Sequence, residues 1–191
     1  MKGQDENFEL IVAAKNGDKQ ALSELININA ESVHSFIYSI VGNWQIVEDL
    51  AQETFLRMIT AIKNYEFRAP FRSWLFRIAV NLCRDHFRRK KVRNIISSII
   101  YDSNEEELSL VDETQNPARD LESKETIIKI EQAMNSLPES LRLVFVLRDI
   151  QEFTYEEIAK TLKWSLGTVK SRLFRARKEI AKYIIQQGRI K

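Results

Sequence analysis

Thr154-Tyr155-Glu156-Glu157-Ile158-Ala159-Lys160-Thr161-Leu162-Lys163-Trp164-Ser165-Leu166-Gly167-Thr168-Val169-Lys170-Ser171-Arg172-Leu173-Phe174-Arg175-Ala176-Arg177 is the stretch that decides the architecture of this chain. Thr154 and Glu157 stand at capping-box spacing: the threonine oxygen takes the amide three residues on, and the glutamate reaches back to the cap amide. The helix so opened carries Ile158, Ala159 and Leu162 on one side. A break follows at Lys163-Trp164, Ser165 can cap again, and a second helix runs through Val169, Leu173, Ala176, Ile180 and Ile184. A small residue where two helices cross, an aliphatic residue ten positions later between them, and a turn of three or four residues make a helix-turn-helix. Lys163 occupies the turn position where glycine is common. Left-handed backbone there costs a non-glycine residue about 1 kcal/mol or more, which the motif can tolerate.

With Val169, Leu173 and Ala176 turned inward, Thr168, Ser171, Arg172, Arg175 and Lys178 point roughly the other way. Lys170 and Arg177 flank that face within reach of phosphates. Arginine suits bidentate contact with guanine, and serine or threonine can donate to bases or backbone. The plainer reading of the same residues is a basic, solvated last helix of a small bundle.

Upstream, Pro138 fits the first turn of a helix carrying Leu141, Val144 and Phe145, preceded by Ile127, Ile130, Met134 and Leu137 at helical spacing. In the N-terminal half, Phe8 to Asn16 reads as a short helix closed by Gly17, with Asp18 capping the next. That next helix buries Ala21, Leu22 and Leu25; Val33, Phe36, Ile37, Ile40 and Val41 then mark a helix face that stops at Gly42-Asn43. Val47, Leu50, Ala51, Thr54, Phe55, Met58, Ile59 and Ile62 hold the repeat over four turns, with Glu48, Asp49, Gln52, Glu53 and Arg57 opposite. Residues 64–71, containing Pro70, predict a loop. Trp74, Leu75, Ile78, Ala79, Leu82, Cys83 and Phe87 form another apolar stripe, and the basic run after it is expected to finish that helix. Between residues 94 and 121 the pattern fails. Ile95, Ile96, Ile99 and Ile100 suggest a short helix, but residues 102–120 are acidic, aperiodic and interrupted by Pro117, as in a linker of low intrinsic order.

Five glycines and three prolines in 191 residues argue against an all-β protein and for an all-helical one long enough for two compact domains. One cysteine excludes an internal disulfide, and with two histidines it offers no metal cluster. No apolar run approaches the roughly 20 residues that span a bilayer, and the N-terminus lacks a signal-peptide core, so a cytoplasmic location is expected. Net charge is only +2, but it is segregated. Residues 68–93 are basic with Asp85 as their one acid, 102–122 are acidic with Arg119 as their one base, and 160–178 are basic again. Separate charged surfaces imply separate partners.

These strings together closely resemble the extracytoplasmic-function sigma factors of the sigma-70 family. Leu137-Pro138-Glu139 and residues 153–159 with 167–177 are similar to their σ4 domain. Glu48-Asp49-Leu50-Ala51-Gln52-Glu53-Thr54-Phe55, Phe71-Arg72-Ser73-Trp74-Leu75-Phe76-Arg77-Ile78-Ala79 and Asn81-Leu82-Cys83-Arg84-Asp85-His86-Phe87-Arg88-Arg89 are similar to their σ2 domain. The resemblance covers nearly the whole chain in the right order. It implies an all-α protein of two small helical domains, a σ2 bundle over 1–93 and a σ4 helix-turn-helix bundle over 123–191. A flexible acidic linker over 94–122 would join them.

It also implies roles that the residues alone do not assign. Asp49, Gln52 and Glu53 would dock on the β′ clamp helices of core RNA polymerase, with the β flap as a further contact. The loop of residues 64–72 would capture a base flipped out of the −10 element; Tyr65, Phe67 and Phe71 are candidate walls for such a pocket, each equally readable as core, and Arg68 and Arg72 lie beside them. Asn81 would read a −10 base, with Arg84, Arg88 and Arg89 on phosphates. Thr168, Lys170, Ser171, Arg172, Arg175, Arg177 and Lys178 would read the −35 element as duplex. Trp74 reads as core packing or a wedge, and Cys83 as a small buried hydrophobe. The acidic linker would follow the RNA exit path, or simply tether. No catalytic residue, metal or cofactor is expected; the partners implied are polymerase, promoter DNA and an anti-sigma factor, with a monomer when free and no membrane insertion. A one-component DNA-binding regulator would leave residues 65–93 unexplained. An enzyme lacks a glycine-rich phosphate loop or partnered histidines, and a polymerase-binding protein that reads no DNA would leave the basic σ4 face idle.

Overall fold

The computed structural model describes residues 7–100 and 121–188, with side chains over 7–93 and 128–187. The acidic stretch 101–120, to which the tether and exit-path expectations belong, lies outside the described residues. Among those described, the regular structure is helical throughout.

The N-terminal half is built from local stop and start signals. Helix α1 (Phe8–Lys15) ends just before Gly17, whose φ of +93° suits the residue without a Cβ. Asp18 caps α2 (Lys19–Val41) by accepting from the Gln20 and Ala21 amides at 2.8 and 3.2 Å. The apolar runs at 21–25 and 33–41 belong to this single helix, which stops at Gly42 in the left-handed conformation. Asn43 caps α3 (Trp44–Ala61) through the Ile46 amide, and a 3-10 turn over Ile62–Asn64 leads into the expected loop.

Helix α4 (Phe71–Ile100) corrects one expectation: it does not finish in the basic run but continues through the isoleucines to residue 100. The reason is propensity. Lysine and arginine are good helix formers, and no glycine or proline stands between residues 71 and 100.

In the C-terminal half, α5 (Leu121–Ser136) leads to α6 (Glu139–Phe145), with Pro138 one step earlier than expected, at the cap position. A π turn over Val146–Ile150, which no sequence signal announced, extends α6. Glu152 then takes a left-handed φ of 59°, and the Phe153 amide bonds back to Leu147 O at 2.9 Å. Phe153 is thereby returned to the interior. Helices α7 (Tyr155–Leu162) and α8 (Leu166–Gly188) complete the chain.

Each half buries its own apolar stripe. Phe36, Ile37 and Ile40 of α2 meet Val47 and Met58 of α3 and Leu75 and Phe76 of α4, all fully enclosed. Leu143 and Leu147 face Val169, Leu173 and Ala176 of α8. Full burial of each large aliphatic or aromatic side chain stabilises by about 1.5–3 kcal/mol. The two cores are continuous, because α4 packs on α7 and Phe76 meets Phe153 at a centroid distance of 5.1 Å.

Candidate nucleic-acid and polymerase interfaces

The helix-turn-helix is built as its sequence requires. Thr154 Oγ1 accepts from the Glu157 amide at 3.2 Å, and the Thr154 amide donates to the Glu157 carboxylate at 2.8 Å, closing the capping box. Lys163 ends α7 at φ 56°, ψ 46°, the left-handed geometry expected of it. The Trp164 amide returns to Ala159 O at 2.9 Å, the closing bond of a Schellman-type end. Ser165 Oγ accepts from the Thr168 amide at 3.1 Å and caps α8. Val169 is fully buried between the two helices.

On α8 the expected −35 residues separate into two groups. Lys170, Ser171, Arg175 and Lys178 stand exposed. The others are held: Thr168 is half-buried in the cap with its hydroxyl 2.8 Å from that of Ser165. Arg172, expected to point outward, is half-buried with its guanidinium stacked 4.0 Å from the Trp164 ring centroid. Arg177 donates to both oxygens of Asp149, one at 3.0 Å, and this pairing holds its pKa above the ordinary value. Sequence reasoning missed Phe174, whose ring is 71% exposed on the same outward side as Ser171, Arg175 and Lys178. Its spacing of three and four residues from Ser171 and Lys178 was the available signal.

The loop between the 3-10 turn and α4 is stapled against α1. The Tyr65 hydroxyl donates to Ala69 O at 2.6 Å, and Lys15 Nζ donates to Tyr65 O. Lys15 also lies 5.1 Å from the Phe67 ring, which meets Phe8 at 5.0 Å. Tyr65 and Phe71 are buried, with Trp74 beside them at 5.2 and 5.5 Å, so all three pack as core. Phe67 is half-buried at a left-handed φ of 53°, a strained placement of the kind found at functional sites. Arg68 is exposed and paired with Glu66 at 2.6 Å.

Along α4, Asn81, Arg88 and Arg89 are exposed, with Arg88 2.9 Å from Asp85. Arg84 is half-buried, 3.8 Å from Glu139 and 5.6 Å from the Trp164 ring. Desolvation lowers its pKa, opposed by the Glu139 charge. A cleft of about 440 Å³ lies here, lined by Arg84, Phe87, Arg88, Lys91, Glu139 and Arg142. Arg72, exposed in the first turn of α4 beside the loop, donates to Gln151 O and Oε1, both at 2.8 Å. Cys83 is fully buried, and its thiol is pushed up to about 12, first by burial and then by Glu139.

On α3, Asp49 and Gln52 are exposed and Glu53 pairs with Arg57 at 2.6 Å. The same face carries Leu56, 59% exposed, and Ile59, 37% exposed. Ile59 was expected on the buried stripe, and Leu56 belonged to no expected site. An apolar pair beside carboxylates, on a helix whose other side is fully packed, is the form of a partner contact.

The family models Sigma-70 region 2 and Sigma-70, region 4 match residues 25–93 and 127–180. RNA polymerase sigma-H factor of Pseudomonas aeruginosa is 30% identical over 95% of this chain and 95% of its own length. The ECF RNA polymerase sigma factor SigW of Bacillus subtilis is 32% identical over 91% of this chain and 94% of its own. The fold is that of the sigma factor RpoE of Bartonella quintana, solved with the anti-sigma factor NepR, at a TM-score of 0.67 and 23% identity over 85% of this chain and 95% of that one. With both sigma regions in order and relatives matched end to end, the chain belongs to the extracytoplasmic-function RNA polymerase sigma factors, which direct promoter-specific initiation of transcription.

Proposed function

We propose that residues 1–93 dock on core polymerase and open the −10 element, that residues 123–191 read the −35 element, and that residues 94–122 connect the two. The observation that carries this reading is the outward face of α8. Ser171, Phe174, Arg175 and Lys178 are exposed on a helix whose opposite face is packed on a capped, Schellman-closed partner. A helix so oriented is rigid enough to enter a major groove, where arginine discriminates guanine and an exposed phenyl ring can meet a thymine methyl.

Docking on the β′ clamp helices falls to Asp49, Gln52 and Glu53, with Leu56 supplying an apolar anchor. The −10 surface comprises Asn81, Arg84, Arg88 and Arg89, and the loop bearing Phe67 and Arg68. Tyr65, Phe71 and Arg72 complete that loop, the two rings mainly by fixing its shape. Thr168, Lys170, Arg172 and Arg177 support −35 contact from the flanks. Nucleotide chemistry belongs to the polymerase, so this chain acts as a non-enzymatic cytoplasmic subunit, monomeric when free. An anti-sigma factor is a fitting regulator; the Bartonella protein was solved in complex with one. Among the described residues no helix is long and apolar enough to cross a membrane.

Arg175→Ala tests the assignment. Loss of one bidentate base contact costs about 1–3 kcal/mol of −35 discrimination, read as a roughly 5- to 150-fold loss of transcription from the cognate promoter, while binding to core polymerase is unchanged. Loss of core binding in that variant would overturn the division of labour.

A further inference from the structure

We infer that helix α1 is a positioning strap for the proposed −10 loop: Phe8 and Lys15 hold Phe67 and the Tyr65 carbonyl, so that the base-capturing shape exists before DNA arrives. The inference rests on the reading of residues 64–72 as that loop, and the closing experiment separates the two.

None of the roles above uses α1, which precedes the residues matched by region 2. Its own sequence explains where it lies. Ile11 and Ala14 are buried and seat the helix in the core, against the 3-10 turn over Ile62–Asn64. The Gly17 turn and the Asp18 cap join it directly to α2. Phe8 and Lys15 are seven residues apart, close to two turns, with Ile11 between them on the same side. That side meets the loop.

Both side chains converge on Phe67. The Phe8 ring, itself 49% exposed, lies 5.0 Å from the Phe67 ring. Lys15 Nζ is 5.1 Å from the same ring and 5.8 Å from that of Tyr65, and it donates to Tyr65 O. One half-buried ammonium thus ties the backbone at residue 65 and the side chain at residue 67 to a separate helix. Charge-assisted hydrogen bonds and cation–π contacts are both stronger than their neutral counterparts in such partly desolvated places.

The loop needs such a tie. Phe67 has a φ of 53°, and left-handed backbone is unfavourable for a bulky L-residue. A residue keeps that conformation only where its surroundings over-determine it. Within the loop, the Tyr65 hydroxyl bonds Ala69 O at 2.6 Å, and the Tyr65 ring lies 4.8 Å from that of Phe67. Tyr65 is buried against Phe71 and Trp74. Phe67, only half-buried, draws a second ring contact and a cation from α1. A preformed loop spares the cost of ordering on binding, and only a base that fits the loop collects that saving.

The experiment measures binding of holoenzyme, assembled from core polymerase and the full chain, to fluorescent single-stranded oligonucleotides. These carry the −10 sequence of a promoter mapped by run-off transcription, and the same sequence with each base replaced in turn. The quantity read is the ratio of cognate to substituted affinity, which loss of folded protein or of core binding leaves unmoved. Lys15→Met removes the donor and the cation and should shrink that ratio roughly 10-fold. Phe8→Ala removes one ring contact and should shrink it roughly 2- to 10-fold. Circular dichroism checks that the variants fold; if Lys15→Met does not, Phe8→Ala decides alone. Phe67→Ala, a change in the loop itself, should abolish discrimination at one −10 position. An intact ratio in Phe67→Ala would overturn the −10 reading of the loop, and the strap with it. A reduced ratio in Phe67→Ala beside an intact one in either folded α1 variant would overturn the strap alone. Equal loss of cognate and substituted affinities in Lys15→Met would do the same, since that is the mark of a phosphate contact.

Discussion

Replacing Lys163 with glycine should stabilise this protein, although glycine usually weakens a helical chain. Two effects oppose each other. Lys163 sits at φ 56°, ψ 46° with its side chain exposed, and left-handed backbone costs an L-residue about 1–2 kcal/mol that glycine is spared. Glycine also gives the unfolded chain more freedom, which costs about 0.4–1 kcal/mol. The difference leaves Lys163→Gly about 0.5–1 kcal/mol more stable, or about 1–4 °C in Tm for a chain of this size. Lys163→Val should move the other way, because a β-branched residue fits this region worst. Urea denaturation of the full-length variants, followed by helical circular dichroism, reads both. A Lys163→Gly protein destabilised by about 1 kcal/mol, as for glycine inside a helix, would refute the left-handed reading of the turn.

Thr154→Ala removes the acceptor for the Glu157 amide and one anchor of its carboxylate; a loss of about 1 kcal/mol is expected, measured as a drop in denaturation midpoint. Burial, then the nearby Lys90, Arg93 and Arg89 charges, lower the His86 pKa in the folded chain. The unfolded chain therefore binds the proton first, and stability falls as pH drops through about 6.5 towards the folded value. Urea midpoints across pH 7.5 to 5 should show this slope in wild type and a shallower one in His86→Gln; equal slopes would count against it. With its pKa near 12 and no exposure, the Cys83 thiol should resist alkylation at about pH 8 until denaturant opens the core. Rapid stoichiometric labelling of the native chain would contradict that burial.

What the sequence disclosed was local. The capping box, the left-handed Lys163 and the buried Val169 each depend on residues within a few positions, and all three stand as read. Helix α4 outruns its expected end because a basic run is no stop signal: lysine and arginine favour helix, and no glycine or proline follows them before residue 100. Phe174, Leu56 and Ile59 were passed over as site residues because apolar side chains are read as core; exposure on a helix face becomes visible only when the opposite face is packed. The Arg72–Gln151 and Arg142–Ile40 bonds join residues 79 and 102 positions apart. No periodicity or cap encodes such pairs, and the π turn and left-handed Glu152 that deliver Gln151 and Phe153 have no local signature.

The central claim is most directly tested by run-off transcription with purified core RNA polymerase on genomic fragments, including the region upstream of the protein's own gene. Discrete start sites that require both the protein and core are predicted, and aligning the sequences upstream of them should yield paired −10 and −35 elements. Tight DNA binding without core, with no new start sites when core is supplied, would contradict the account.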